Sequence, residues 1–166
     1  MLDLDETLVH SSFQPVRQDL GLSYFTIPVE IDSTVHNINV IRRPGLDEFM
    51  RKVGSLYEIV VFTASLAKYA NPVLDTIDTY NVIKHRLFRE SCVFSGGNYV
   101  KDLSVLGRDL KSTIIVDNSA ISYSFQPENA IPCSNFIDDP NDRDLYEMVP
   151  LLQALVRVSS AQVKSC

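Results

Sequence analysis

Cysteine is scarce in this 166-residue chain, and long apolar runs are missing altogether. Cys92, Cys133 and Cys166 form no Cys-x-x-Cys pair and leave an odd count. A disulfide framework is therefore not expected, and the thiols read as inert groups in a reducing, intracellular setting. No Asn-x-Ser/Thr sequon occurs. Although 45% of the residues are hydrophobic, no run approaches the roughly 18 apolar residues of a membrane-spanning helix. Asp3 interrupts any apolar segment at the amino end, so no signal-peptide core is expected. The net charge of -6 argues against a nucleic-acid backbone as the main partner, while leaving room for a locally basic site. Internal repeats, low-complexity tracts and linker-like stretches are also lacking. The length and this continuity read as a single domain over 1–166 with one real core.

What is present alternates between two periodicities. YFTIPVEI (24–31) and VHNINVI (35–41) are rich in β-branched and aromatic residues and flank a polar DST, which predicts a hairpin with Pro28 at a sheet edge. RPGLDEFMRKVG places Leu46, Phe49, Met50 and Val53 on one face of a helix closed by Gly54. YEIVVFTAS (57–65) and TIIVDNS (113–119) have the unbroken apolar character of strands buried on both faces. LAKYANPVLDTID reads as helix, with Pro72 kinking it or starting a new one, and Asp75 and Asp78 as a solvated face. Residues 87–110 read as short strands and turns around Gly96-Gly97. The segment DPNDRD (139–144) reads as a turn plus N-cap for a last helix over 141–158, broken near Pro150. Buried strands alternating with helices predict an α/β fold with a mostly parallel sheet.

Three apolar runs end alike. LDLDET, VVFTAS and IIVDNS each pass into small or acidic polar residues. Ligands of open parallel sheets bind beyond the carboxyl ends of the strands. Asp3, Asp5, Thr63, Asp117 and Asn118 are therefore expected to converge. Hard oxygen donors without thiolates or imidazoles suit Mg2+ better than zinc, and several acids in one crevice need a cation beside them. A carboxylate so placed can attack a phosphoryl group, and a second can move the proton. Thr63 and Lys101 are the natural donors to the equatorial oxygens. Thr63 and Ser65 also have a plainer reading as caps of the following helix. His10, His36 and His85 have no metal-like spacing.

DLDETLVHSSF, FTASLAKYA, LFRESCVF, GNYVKDLSVLGRDL and DNS together closely resemble the small carboxy-terminal-domain phosphatases of the haloacid dehalogenase superfamily, from Met1 to about Val158. The resemblance implies a Rossmann-type parallel sheet flanked by helices, with a small β-hairpin insertion (about 24–41) after the first strand. It implies Asp3 as nucleophile, Asp5 as general acid/base, and Thr63 and Lys101 as stabilisers of the transition state. Mg2+ would be held by Asp3, the Asp5 main-chain carbonyl and Asn118, with Asp117 supporting metal and lysine from behind. It implies a phosphoserine-proline substrate in the tail of RNA polymerase II or another nuclear phosphoprotein, an intracellular and nuclear place of work, and no direct contact with nucleic acid. Phe13, Val29, Ile31, Ile38 and Leu66 match a pocket for the substrate proline, and Tyr69 and Arg89 match positions along its groove; such apolar residues are otherwise usually core. Three departures stand out: few residues precede the first motif, Ala120 and Asn135 replace a common proline and tryptophan, and RQDLGLS (17–23) is longer than expected. Either the first strand is shortened or the chain is a fragment, which bears on stability rather than chemistry, and the two replacements fall outside the catalytic set. Two rival readings are a phosphohydrolase of another phosphoprotein or small phosphoester, and a phosphopeptide-binding module without catalysis.

Overall fold

The computed structural model describes residues 1–163, with side chains described to 157. The strand expected over the first motif reduces to one residue. Leu2 makes isolated parallel bridges to both Val61 and Val116. Its amide donates to the Val60 carbonyl at 2.9 Å, its carbonyl accepts from Phe62, and the next amide, of Asp3, donates to Val116 at 3.0 Å. Beyond Leu4 the backbone turns, with Glu6 at φ 58° and the amides of Leu8 and Val9 both donating to the Leu4 carbonyl. Asp3 and Asp5 thus lie where an extended segment becomes a turn.

The chain then leaves the parallel sheet. Strands β1 (Val9–Ser12), β2 (Tyr24–Ile31) and β3 (Thr34–Arg42) form an antiparallel sheet of order β1-β3-β2. The expected hairpin is present, and it has a third strand. Asp32 and Ser33, both at positive φ, make its two-residue turn, the geometry that matches strand twist. Pro28 lies on β2, an edge strand of this sheet, where its missing N–H breaks no ladder. RQDLGLS forms a short 3-10 turn over Gln18–Leu20.

Helix α1 (Leu46–Gly54) buries the predicted face of Leu46, Phe49, Met50 and Val53. Gly54 ends it for a reason other than a left-handed cap: a Cβ there would stand 2.5 Å from the Val82 side chain. Strand β4 (Ile59–Phe62) leads to helix α2 (Ala67–Ile77), which contains Pro72 and turns Ala70, Val73, Leu74 and Ile77 inward. Asp78 is not part of a solvated face: its carboxylate accepts the amides of Val82 and Ile83 and closes the loop into β5 (Ile83–Leu87). β6 (Val93–Ser95) and β7 (Asn98–Val100) pair across Gly96 and Gly97, both at positive φ. β8 (Ile115–Asp117) and β9 (Ala130–Pro132) complete the sheet. With β4–β5 and β8–β9 each parallel, Leu2 joins the two pairs in the order β5-β4-Leu2-β8-β9. Helix α3 (Asp144–Val163) runs through Pro150 unbroken. Proline forfeits one helical hydrogen bond, but Leu145, Met148, Val149 and Leu152 on either side are buried in the core, and packing outweighs the propensity. Among the described residues no helix is long and apolar enough to cross a membrane. A cavity of about 790 Å³ lies beneath Leu2, lined by apolar residues such as Val53, Ile114 and Leu152 and by charged ones such as Glu58, Arg86 and Arg108.

Arg43, wholly buried, ties the two sheets to α3. Its Nε and Nη2 grip the Asp142 carboxylate at 2.7 Å each, Nη2 also reaches Ser134 Oγ and Asp144, and Nη1 donates to the Thr7 carbonyl at 3.1 Å. The guanidinium also lies 5.6 Å over the centre of the Phe136 ring. Removing the guanidinium leaves the buried Thr7 carbonyl and the largely covered Asp142 carboxylate without their partner. Arg43→Ala should therefore destabilise the protein by about 3–5 kcal/mol in urea unfolding, and a loss below about 1 kcal/mol would show that the tie is solvated.

Candidate active site

The carboxyl ends of β4 and β8 and the turn after Leu4 open into one crevice of about 500 Å³. Asp3, Asp5, Thr63, Lys101, Asp117 and Asn118 all line it, although they come from four separate stretches of chain. Phe13, Ile38, Tyr69 and Arg89 line it as well. Val29 is buried in the core instead, Ile31 packs against that core, and Leu66 is 42% exposed at the start of α2; none of these three lines the crevice. Phe13 is 60% exposed and meets His36 edge-on with centroids 5.9 Å apart.

The floor is a buried row of charges. Lys101 Nζ donates to Asp3 Oδ1 at 2.5 Å and to Asp117 Oδ2 at 2.6 Å, with the lysine and Asp117 each 1% exposed. Burial alone would pull the lysine's pKa down, but the two carboxylates outweigh it and push it up, so Lys101 is a cation. Burial pushes the Asp3 carboxyl up to about 6, against the pull of Lys101 and with the repulsion of Asp117. Neighbouring backbone holds the lysine in place. Its amide donates to the Ser122 carbonyl at 2.7 Å, and Gln126 accepts from the Leu103 amide while donating to Asp102. Asp117 is fixed in turn by the Ser119 amide at 2.8 Å.

Thr7 stands on the other side of Asp3. Its Oγ1 lies 2.8 Å from Asp3 Oδ2 and 3.2 Å from Asn118 Oδ1, bringing those two oxygens to one point. The Asn118 amide donates to Asn135 Oδ1 at 2.8 Å, which turns Oδ1 toward Asp3. Asn135 thus orients Asn118 without itself lining the crevice. The converging oxygens are hard donors of the kind Mg2+ accepts, and that ion commonly takes only one or two carboxylates from the protein. The residues thus fit such a cation without a cage of three acidic, histidine or cysteine side chains, a cluster not found among the described residues.

Asp5 faces a different environment. Its Oδ1 accepts from the Tyr69 hydroxyl at 2.6 Å, and Oδ2 accepts from Ser65 Oγ at 2.7 Å and Thr63 Oγ1 at 3.3 Å. Burial, with the Asp5 charge beside it, pushes the Tyr69 phenol's pKa well up, so it is a donor. Neither Thr63 nor Ser65 caps α2: Leu66 occupies the N-cap position and no side chain bonds there. Their hydroxyls turn to Asp5 instead, and the Ser65 amide donates to Thr63 Oγ1 at 3.0 Å. Arg89 is anchored by the Ala64 carbonyl at 2.6 Å and lies 5.2 Å over the Tyr99 ring. Burial pushes the thiols of Cys92 and Cys133 up, away from the reactive range; Cys166 lies outside the described residues.

One neighbouring acid on each side is what lets Lys101 stay charged in the interior. Lys101→Met should cost the metal-free protein about 3–5 kcal/mol in urea unfolding. Adding Asp3→Asn and Asp117→Asn to it should recover most of that loss, and failure to recover any would show that the lysine's stem, not its charge, is what the fold needs.

Comparison with known proteins follows the same lines. The family model described as NLI interacting factor-like phosphatase matches residues 1–163. The chain is 59% identical over 163 residues to a probable C-terminal domain small phosphatase of Dictyostelium discoideum, covering 98% of this chain and 52% of that protein. Identity is 54% over 158 residues to the carboxy-terminal domain RNA polymerase II polypeptide A small phosphatase 1 of Homo sapiens, covering 95% and 59%. The chain spans about half the length of the curated relatives it matches. Among solved structures, Fcp1, an essential RNA polymerase II CTD phosphatase, shares the fold at TM-score 0.66 and 21% identity, over 98% of this chain and 52% of that one. These matches cover nearly all of the chain, and it belongs to the NLI interacting factor-like phosphatase family.

Proposed function

We propose that this chain is a Mg2+-dependent protein phosphatase that hydrolyses phosphoserine next to proline by way of an aspartyl-phosphate on Asp3. The observation that carries the reading is the division of the two carboxylates of the first motif. Asp3 is held against a buried cation at the crevice floor, and Asp5, two positions on, is held by hydroxyls alone. This division supports attack by the one and proton exchange by the other.

In the first step a carboxylate oxygen of Asp3 forms the bond to phosphorus as the bond from phosphorus to the seryl oxygen breaks. Asp5 gives its proton to that leaving oxygen. Lys101 Nζ and Thr63 Oγ1 are the donors nearest the charge that develops on the equatorial oxygens. In the second step Asp5 takes a proton from water, whose oxygen attacks phosphorus and frees Asp3. Asp3, the Asp5 carbonyl and Asn118 would hold the metal, with Asp117 behind them. Bound Mg2+ supplies neutralisation of the phosphate charge and polarisation of the phosphoryl group. The human relative named above is called an RNA polymerase II carboxy-terminal-domain phosphatase; that phosphorylated tail is the proposed partner and the nucleus the proposed place of work.

Metal removal tests the cofactor. Chelation should silence turnover and Mg2+ should restore it, while Ca2+, with looser coordination, should restore it poorly. Full turnover in excess chelator would contradict the reading. Substrate choice is tested at Phe13, whose exposed ring beside the crevice offers a surface for a proline. Burying one such ring is worth on the order of 1–3 kcal/mol. Phe13→Ala should therefore lower kcat/KM for a phosphoserine-proline peptide at least about tenfold, and much less for a small aryl phosphate. Equal losses on both substrates would make Phe13 a packing residue only.

A further inference from the structure

Asp5 makes no ion pair among the described residues; three hydroxyls alone hold it. Two of these contacts are short, and they take one carboxylate oxygen each: Tyr69 on Oδ1 at 2.6 Å and Ser65 on Oδ2 at 2.7 Å. A carboxylate gripped at both oxygens from one side cannot rotate about its own axis without losing a bond. The donors are themselves fixed. Tyr69 has one proton and gives it to Asp5, so Ser11 Oγ, 2.6 Å from the phenol oxygen, must donate to it. That chain of hydroxyls links β1 through the first turn of α2 to Asp5. Ser65 is pinned through its main chain, with its amide on Thr63 Oγ1 at 3.0 Å and its carbonyl accepting the Arg89 amide at 3.1 Å. The third contact, from Thr63, is the longest at 3.3 Å and is the easiest to give up to a phosphate oxygen.

We propose that Ser65 and Tyr69 are positioning residues for the proton-transfer step, clamping the Asp5 carboxylate so that it faces the leaving oxygen. The proposal rests on the reading of Asp5 as general acid/base. It gives Tyr69 a task separate from lining a peptide groove, and it assigns a task to Ser65 beyond the start of a helix. Misaligning a general acid hurts a reaction in proportion to how badly the leaving group needs a proton. A seryl or alkyl oxygen needs one; a dinitrophenolate hardly does.

The test is a series of small aryl and alkyl phosphates of graded leaving-group pKa, assayed as kcat/KM with Mg2+ present. Small substrates make no use of the peptide groove, and kcat/KM reports the first phosphoryl transfer whichever step limits kcat. Ser65→Ala, Tyr69→Phe and the double variant should lose at least about tenfold on the poorest leaving groups and far less on dinitrophenyl phosphate, so that the dependence steepens. Ser65→Thr, which keeps the hydroxyl, should return the shallow dependence. Thermal unfolding identifies variants that keep the fold, and Ser65→Ala, at a half-buried position, suffices if Tyr69→Phe does not fold. Equal losses across the series, or none, would overturn the clamp. Asp5→Asn in the same series separates the two claims: without steepening there, the acid/base reading of Asp5 fails as well.

Discussion

A lysine ammonium buried between two carboxylates is the constraint on which this site depends. Burial alone would push the Asp3 carboxyl further up and pull the Lys101 ammonium down; side by side, the attraction of the carboxylates outweighs burial and the lysine stays charged. The arrangement keeps a carboxylate and a cation together at the floor of the crevice, where the proposed chemistry needs them. The same cation separates Asp3 from Asp117, which stands further back and accepts from the Ser119 amide.

The fold delivers these groups through very little regular structure. A single residue, Leu2, joins two parallel strand pairs, so the ends of β4 and β8 lie on either side of Asp3. The turn after Leu4 then carries Asp5 and Thr7 across the same opening. Arg43 holds the carbonyl of Thr7 from beneath, while Thr7's hydroxyl reaches Asp3 and Asn118. Packing in the antiparallel sheet and in α3 is in this way connected to Asp3 through one side chain.

Much of this was legible in the sequence, and for identifiable reasons. Apolar runs ending in LDLDET, VVFTAS and IIVDNS mark strand ends, and strand ends in parallel sheets converge. Helix α1 follows its 3.6-residue pattern, and the hairpin its DST turn. The parts that escaped depend on contacts distant in sequence. Arg43 carries no local signal, because its partner Asp142 is 99 positions away. Ser65 reads as a cap because its partner, Asp5, is 60 positions away. Thr7 and Asn135 stand in or beside quoted motifs, but nothing in the spacing says that they touch Asp3 and Asn118. Pro150 reads as a helix break because propensity is local and the burial of Met148, Val149 and Leu152 is not. Val29 and Ile31 share an alternating pattern with any half-buried strand, so periodicity could not separate pocket from core.

The claim that joins these observations is that Asp3 itself takes the phosphoryl group. Acid quenching during turnover of a phosphoserine-proline peptide, followed by mass spectrometry of the proteolysed protein, reads this directly. The account predicts a phosphoryl mass on the peptide containing Asp3, lost on mild alkaline hydrolysis and absent from Asp3→Asn. A protein that turns over rapidly with no phosphoryl group on that peptide, or with one on a different residue, would contradict it.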